Sequence, residues 1–315
     1  MAEPEIKLAY IILAYKNIEH LVRLINRLNS PNTSFFIHID LKVSETPFLQ
    51  AFNNLTHVNL TLMPRSKIYW GEWGMIEATL TGIKMALAEK NVFDYIFLIS
   101  GQDYPIKSQN IIYDFFENNY GKSFLSFTTM PVQGWNWGPD GGMDRLSHYF
   151  IRFGKMRWVY PPFEKPKGTR PIMANYFSKI YYRLPRNHPN DLKPFAGSTW
   201  LNLHRDTAEY MLNFVNRRPD FVKFHKYTAI VDETFFQTIL GNGPDSITSN
   251  LVNNDLRFID WSRKNENKGH PEILTLQHKD EIMKSDAHFA RKFEPEIDTS
   301  ILDYIDNNIL YCGRR

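Results

Sequence analysis

The first 120 residues alternate between two hydrophobic rhythms. Lys7 to Ala14 (KLAYIILA) is an unbroken apolar run, the pattern of a strand buried on both faces. Ile18, Leu21, Val22, Leu24, Ile25 and Leu28 then fall on one face of a helix over Asn17 to Leu28. Ser34 to Ile39 (SFFIHI) predicts a second strand ending at Asp40, and Val58 to Met63 a third. Helices are predicted at Glu77 to Ala88 and Gln109 to Asn118, with a strand at Asp94 to Ile99 between them. Strand and helix in alternation argue an α/β protein with a mostly parallel sheet of the nucleotide-binding type.

The pattern changes past residue 130. Pro131 to Met143 holds Trp135, Trp137 and four glycines and reads as loop. Tyr160 to Pro171, rich in Pro and Lys, reads as a flexible connection. Thr199 to Leu203 predicts a strand, Thr207 to Val215 and Glu233 to Leu240 helices, and Lys264 to Gly269 a polar loop. No internal repeat is visible, and no linker is long enough to demand two independent domains.

Composition narrows the function. The 315 residues are 43% hydrophobic and 23% charged, ordinary for a globular protein. Lys and Arg number 37 against 34 Asp and Glu, a net +3 that gives no general field for nucleic acid. Any anion site must be local. Aromatics reach 15%, which suits core packing and sugar-binding faces alike. Cys312 is the one cysteine, so no intrachain disulfide and no cysteine-rich zinc site can form. No apolar run approaches the roughly 20 residues of a membrane helix, and no signal-peptide pattern is visible.

Several residues could carry chemistry. The apolar run Tyr95 to Ile99 breaks into Ser100-Gly101-Gln102-Asp103-Tyr104-Pro105, and Pro105 forbids a continued strand. Asp103 therefore sits at the carboxyl edge of a sheet, where open α/β proteins bind ligands. It can accept from a sugar hydroxyl or simply bond nearby backbone in a turn. Asp40, ending the second strand, can meet a ribose or a base edge, or serve as a turn residue. Tyr69, Trp70 and Trp73 either wall a base or sugar or pack around a helix start. Asp232-Glu233 precedes an amphipathic stretch, where acids favour the helix dipole; a glutamate there facing a cleft could act as general base. Arg291-Lys292 is a solvated pair unless an anion needs neutralising. No Gly-x-Gly-x-x-Gly, phosphate-loop, His-Glu-x-x-His or Asp-x-Asp motif occurs.

These segments, taken in order, resemble the core-2/I-branching N-acetylglucosaminyltransferases, glycosyltransferase family 14, which also holds the protein xylosyltransferases. The likeness runs through Tyr10 to Tyr15, Phe36 to Asp40, Tyr69 to Trp73 and Ser100 to Ile106. It continues through Phe195-Ala196-Gly197-Ser198-Thr199-Trp200, Asp232-Glu233 and Phe289-Ala290-Arg291-Lys292-Phe293. It fades between about Trp135 and Leu192.

The resemblance implies a GT-A type fold: a Rossmann-like, mostly parallel sheet flanked by helices, in one catalytic domain over residues 1–315. About 1–128 would form the nucleotide-sugar-binding half and about 129–315 the acceptor-binding and catalytic half. It implies an inverting, metal-independent transferase acting on a UDP-sugar, which is a substrate and not a cofactor. The acceptor would be a glycan or glycoconjugate hydroxyl, and an α-linked donor would give a β-linked product. Glu233 matches the family's general base. Lys292, helped by Arg291, matches a base that holds the diphosphate. Ala14, Asp40 and Tyr69 match positions around the uridine. Asp103, Ser198, Thr199, Trp200 and Asp232 fall in segments that shape the cleft.

A second diphosphate base has no secure match, and Lys268 and His270 are candidates by proximity. Arg145, Tyr149, Arg152, Trp135 and Trp137 are acceptor-groove candidates from loop position and chemistry, with ordinary loop packing as the alternative. N-acetylglucosamine is the first reading of the donor sugar, with xylose, glucuronic acid or a non-catalytic carbohydrate-binding role as alternatives. Animal members carry several disulfides and an anchor. One cysteine and no membrane segment point instead to a cytoplasmic, bacterial-style enzyme, at most peripheral to a membrane, over a Golgi one.

Overall fold

β1 (Leu8–Ala14) is buried along its whole length. Leu8, Tyr10, Ile12 and Ala14 enter one core cluster, and Ala9, Ile11 and Leu13 a second. Successive strand side chains point to opposite faces, so β1 is covered on both sides. The computed structural model describes residues 6–90, 92–133, 137–154, 156–160, 186, 188–262 and 270–310. After β1 come α1 (Ile18–Leu28), β2 (Thr33–Ile39), α2 (Thr46–Phe52), β3 (Leu60–Leu62), α3 (Trp73–Ala88), β4 (Tyr95–Ser100), β5 (Tyr104–Pro105), α4 (Gln109–Asn118) and β6 (Ser123–Thr129). Then follow α5 (Asp144–Ser147), β7 (Tyr149–Phe153), β8 (Met156–Tyr160), β9 (Phe195–His204), α6 (Arg205–Arg217), α7 (Pro219–His225), a 3-10 turn (Val231–Glu233) and α8 (Phe235–Gly241). The chain continues through α9 (Asp245–Thr248), β10 (Leu251–Asn253), β11 (Arg257–Ile259), α10 (Lys279–Lys284), β12 (Phe289–Arg291) and α11 (Ser300–Ile305).

Seven strands form the central sheet in the order β10-β6-β9-β4-β1-β2-β3. β4, β1, β2 and β3 pair in parallel, as do β10 and β6, and β9 runs against its neighbours β4 and β6. This is the mainly parallel, helix-flanked α/β sheet expected. Strands from both sides of residue 128 interleave in it. α1, α4 and α11 cover one face, and α3, α6 and α8 the other. β11, β12 and β5 form a small second sheet, with β12 in the middle. No helix among the described residues is long and apolar enough to cross a membrane.

The predicted elements recur with instructive differences. β3 is shorter than expected, α3 starts four residues earlier at Trp73, and β9 extends to ten residues. Pro105 ends no strand outright: it lies in β5, at the edge of the small sheet, where a missing N–H is tolerated. β7 and β8 pair as an antiparallel hairpin just before the expected connection. The helix expected over Glu233 to Leu240 breaks at Thr234 (φ −133°, ψ −30°). Residues 161–171, 264–269, Trp135, Lys268 and Cys312 lie outside the described residues.

Candidate active site

The parallel strands β1, β2 and β4 all end on one edge, which delivers Tyr15 to Asn17, Asp40 and Gly101 to Asp103 to the same side. β12 brings the cations there. It pairs antiparallel with β5, with Ala290 opposite Tyr104, so Arg291 falls beside Asp103. Asp103 is fully buried. Its Oδ2 accepts from the Ser100 N–H at 2.8 Å and from the Ser100 hydroxyl. Arg257 Nε lies 3.6 Å from Oδ1 and Arg291 Nε 3.7 Å from Oδ2. Of the two readings of Asp103, the contact with nearby backbone in a turn is the one present. Its carboxylate is the internal counter-ion of two arginines and has no surface left for a sugar hydroxyl.

Arg257 spends its terminal nitrogens inward, on Leu98 O, Asp255 O and Asn202 Oδ1. Arg291 stacks over the buried Trp200 ring at 4.2 Å. Burial pulls both arginines below their usual pKa, and the Asp103 charge opposes it. Trp200 is thus a platform under Arg291. Lys292 follows, with no carboxylate at ion-pair distance among the described residues. Burial and the neighbouring Arg291 lower its pKa. Glu294, two residues on, is a buried hub that accepts from Lys16 (2.5 Å), Asn17 (2.8 Å) and Gln102.

Asp232 and Glu233 sit in the 3-10 turn before α8. Ile230 starts that turn with φ +49°, unusual for a β-branched residue, and its N–H donates to Gly71 O at 2.7 Å. Gly71, itself at φ +69°, leaves room: a Cβ there would lie 3.2 Å from the Ile230 backbone. Thr199 of β9 donates to Asp232 Oδ2 at 2.6 Å, while Asp232 Oδ1 is buried with no hydrogen-bond partner among the described residues. Burial pushes the Asp232 carboxyl up. Gln237 of α8 donates to Ser198 O at 2.6 Å, fixing the same stretch of β9.

Glu233 keeps 28% of its side chain exposed and accepts from Arg145 Nη1 at 2.8 Å. Desolvation first, then the Asp232 charge, raise its carboxyl to about 7 against the lowering effect of Arg145. Arg145 stacks on Trp137 at 3.8 Å. A cleft of about 250 Å³ opens here, walled by Trp70, Trp137, Phe150, Arg145, Arg157 and Ile230 among others. Trp70 is 56% exposed, and His270 packs edge-on to it at 5.8 Å. Tyr149 is not part of this wall; it packs against Tyr227 and under Arg186.

Asp40 accepts from the Lys42 N–H at 2.8 Å, a turn contact, and pairs with Lys42 Nζ at 3.3 Å. Lys42 also lies over the Tyr69 ring at 4.7 Å, and Arg152 over the same ring at 4.0 Å. Asp40 and Tyr69 are therefore joined through Lys42. Ala14 is adjacent, since its carbonyl accepts from Asp40 N. Arg152 grips Glu72 with two nitrogens and ties the β7–β8 hairpin down.

Residues of this arrangement that escaped sequence reasoning include Lys16, Lys42, Phe150, Arg157, Arg186, Arg257 and Glu294. Arg186 is buried and donates to the carbonyls of Arg145, Leu146, His148 and Phe224 and to the Thr228 hydroxyl. It fastens the segment that carries Arg145. Only Glu294 had a usable signal, its place directly after the Arg-Lys-Phe triplet. Among the described residues, no group of three or more His, Cys, Asp or Glu is placed to hold a metal ion.

Comparison with known proteins gives the family. Beta-glucuronosyltransferase GlcAT14B of Arabidopsis thaliana is 27% identical over 318 residues, covering 97% of this chain and 66% of its own length. Xylosyltransferase 2 of Mus musculus is 24% identical over 325 residues, covering 96% of this chain and 34% of its own. The chain thus spans under two thirds of the length of these relatives. The apo crystal structure of mouse Xyloside xylosyltransferase 1 aligns with 90% of this chain and 97% of its own at 10% identity, with a TM-score of 0.35. The family description Core-2/I-Branching enzyme matches residues 8–283, most of the chain, and this protein belongs to that family.

Proposed function

We propose that this chain is an inverting glycosyltransferase that moves a sugar from a UDP-sugar to a hydroxyl of a glycan acceptor. The observation that carries this is the part-exposed Glu233 carboxyl, raised to about 7 and held at 2.8 Å by Arg145, which itself lines the aromatic cleft. A base with a pKa near working pH is half ionised yet basic enough to take a hydroxyl proton.

The acceptor enters along Trp70, Trp137 and Phe150. Its oxygen attacks the anomeric carbon while its proton passes to Glu233. The bond from that carbon to the diphosphate oxygen breaks, and UDP leaves with the electron pair. One displacement inverts the centre. Arg291 and Lys292 stabilise the charge growing on the diphosphate, the work a metal does elsewhere. Fixed cations suit it because they need no reorganisation as the charge appears. The uridine lies by Ala14, Asp40 and Tyr69.

The names of the relatives bear on the donor. They are glucuronosyltransferases and xylosyltransferases, which favours UDP-glucuronate or UDP-xylose over UDP-N-acetylglucosamine. A panel of the three, scored for UDP release and for the anomeric configuration of the product, tests the reading. One donor should turn over with inversion. Retention, or no turnover and no UDP binding, overturns it.

A further inference from the structure

Three cations share the sheet edge: Lys16, Arg291 and Lys292. Two have evident duties, since Arg291 is aimed by Asp103 and Trp200 and Lys292 has no carboxylate at ion-pair distance among the described residues. Lys16 is different. It stands two residues past the end of β1, its side chain 36% exposed, with its ammonium 2.5 Å from Glu294 Oε1. Glu294 does not depend on it. That carboxylate, 10% exposed, keeps the Asn17 amide on Oε2 and the Gln102 amide on Oε1. Gln102 is held in turn by the Tyr15 hydroxyl, which donates to its Oε1 at 3.2 Å. Lys16 can leave while the hub stays bonded.

We infer that Lys16 is a diphosphate ligand held in reserve by Glu294, so that donor phosphates and the Glu294 carboxylate compete for one ammonium. This rests on the donor reading above and adds to it the missing second base. The electrostatics favour the exchange. Lys16 and Arg291 both repel the Lys292 charge while Glu294 and Glu272 attract it, so three cations are gathered where a diphosphate can replace a carboxylate as their partner. A diphosphate offers that cluster more negative charge than one carboxylate does. It also accepts at several oxygens, so Lys16 gains a charge-assisted bond without stranding its old partner. The long flexible lysine stem allows the swing.

The test is titration calorimetry of UDP and of uridine with wild type, Lys16→Ala, Lys16→Arg and Glu294→Gln, with melting temperatures measured without ligand. Lys16→Ala should weaken UDP about tenfold or more, the scale of one charge-assisted hydrogen bond. It should leave uridine unchanged, and Lys16→Arg should recover most of the loss. Glu294→Gln removes the competitor and should tighten UDP severalfold. UDP affinity equal in wild type and Lys16→Ala overturns the assignment of Lys16 alone. Uridine weakened in step with UDP assigns Lys16 a structural role and overturns it too. Wild-type protein that binds no UDP overturns the donor reading and this inference with it.

Discussion

At Glu233 burial and two charged neighbours set the working pH. Burial and Asp232 drive the carboxyl toward its neutral form, and Arg145 pulls it back. Transfer should therefore rise with pH through about 7 as the base ionises. Arg145→Met removes the pull and should move that limb to higher pH, which a kcat–pH profile reads directly. Glu233→Gln should lose about 10²–10⁴-fold in kcat and retain UDP affinity; near-normal turnover would remove the base assignment. The sign for stability is opposite. A carboxylate whose folded pKa exceeds its ordinary 4.5 costs stability as pH rises from there through 7, so the site is held against its own preference. Glu233 was legible as part of a two-acid motif before an apolar face. Its partner was legible only as a loop cation, because 88 residues separate the two. The ion pairs of Asp103 were illegible for a related reason: nothing in a local string announces Arg257, delivered by a strand 154 positions away.

Among elements, the α1–α11 contact makes the sharpest prediction. Asp306, just past α11, accepts from Arg23, Arg27 and Tyr104, so one carboxylate clamps α1, β5 and the C-terminal helix. Asp306→Ala removes the acceptor that Arg23, Arg27 and Tyr104 share, although Arg23 keeps Asp303, and should cost roughly 2 kcal/mol in urea unfolding at pH 7. These bonds, chiefly those from Arg27 and Arg23, hold the Asp306 pKa below its usual 3.8 despite burial. The stabilisation is thus full above pH 3.8 and is lost as pH falls through the lower folded value, where the variant and wild type should converge. β9 offers a second test. A Cβ on Gly197 would lie 1.8 Å from Ser126 O, at the irregularity in β6–β9 pairing, so Gly197→Ala should unfold at markedly lower temperature. β1, α1, β2 and α4 were legible because each carries a full hydrophobic period. β10, β11 and β12 were not, since three residues hold no period and their pairing supplies the order. The hairpin was missed because Tyr149 to Tyr160 is flanked by loop-like sequence on both sides.

For the molecule as a whole, near-neutral net charge hides a basic sheet edge. If Arg291 and Lys292 replace a metal, UDP-dependent thermal stabilisation and transfer should survive excess EDTA and weaken with added salt. A strict manganese requirement would contradict this. Strand order was the least legible property: alternation predicted a parallel sheet, and no residue predicted that β9 would be placed between β4 and β6. That placement governs how the chain is made. A ribosome that has released the first 130 residues has produced six of the twelve strands seen among the described residues, yet the β4 edge has no neighbour and β6 nothing to join. Both wait for residues 195–204. Long-range closure of this kind slows folding and leaves an adhesive edge exposed during synthesis. Chains cut between residues 130 and 194 should therefore associate through β4 instead of folding as half a protein, and splitting the sequence at its apparent middle would yield two insoluble pieces.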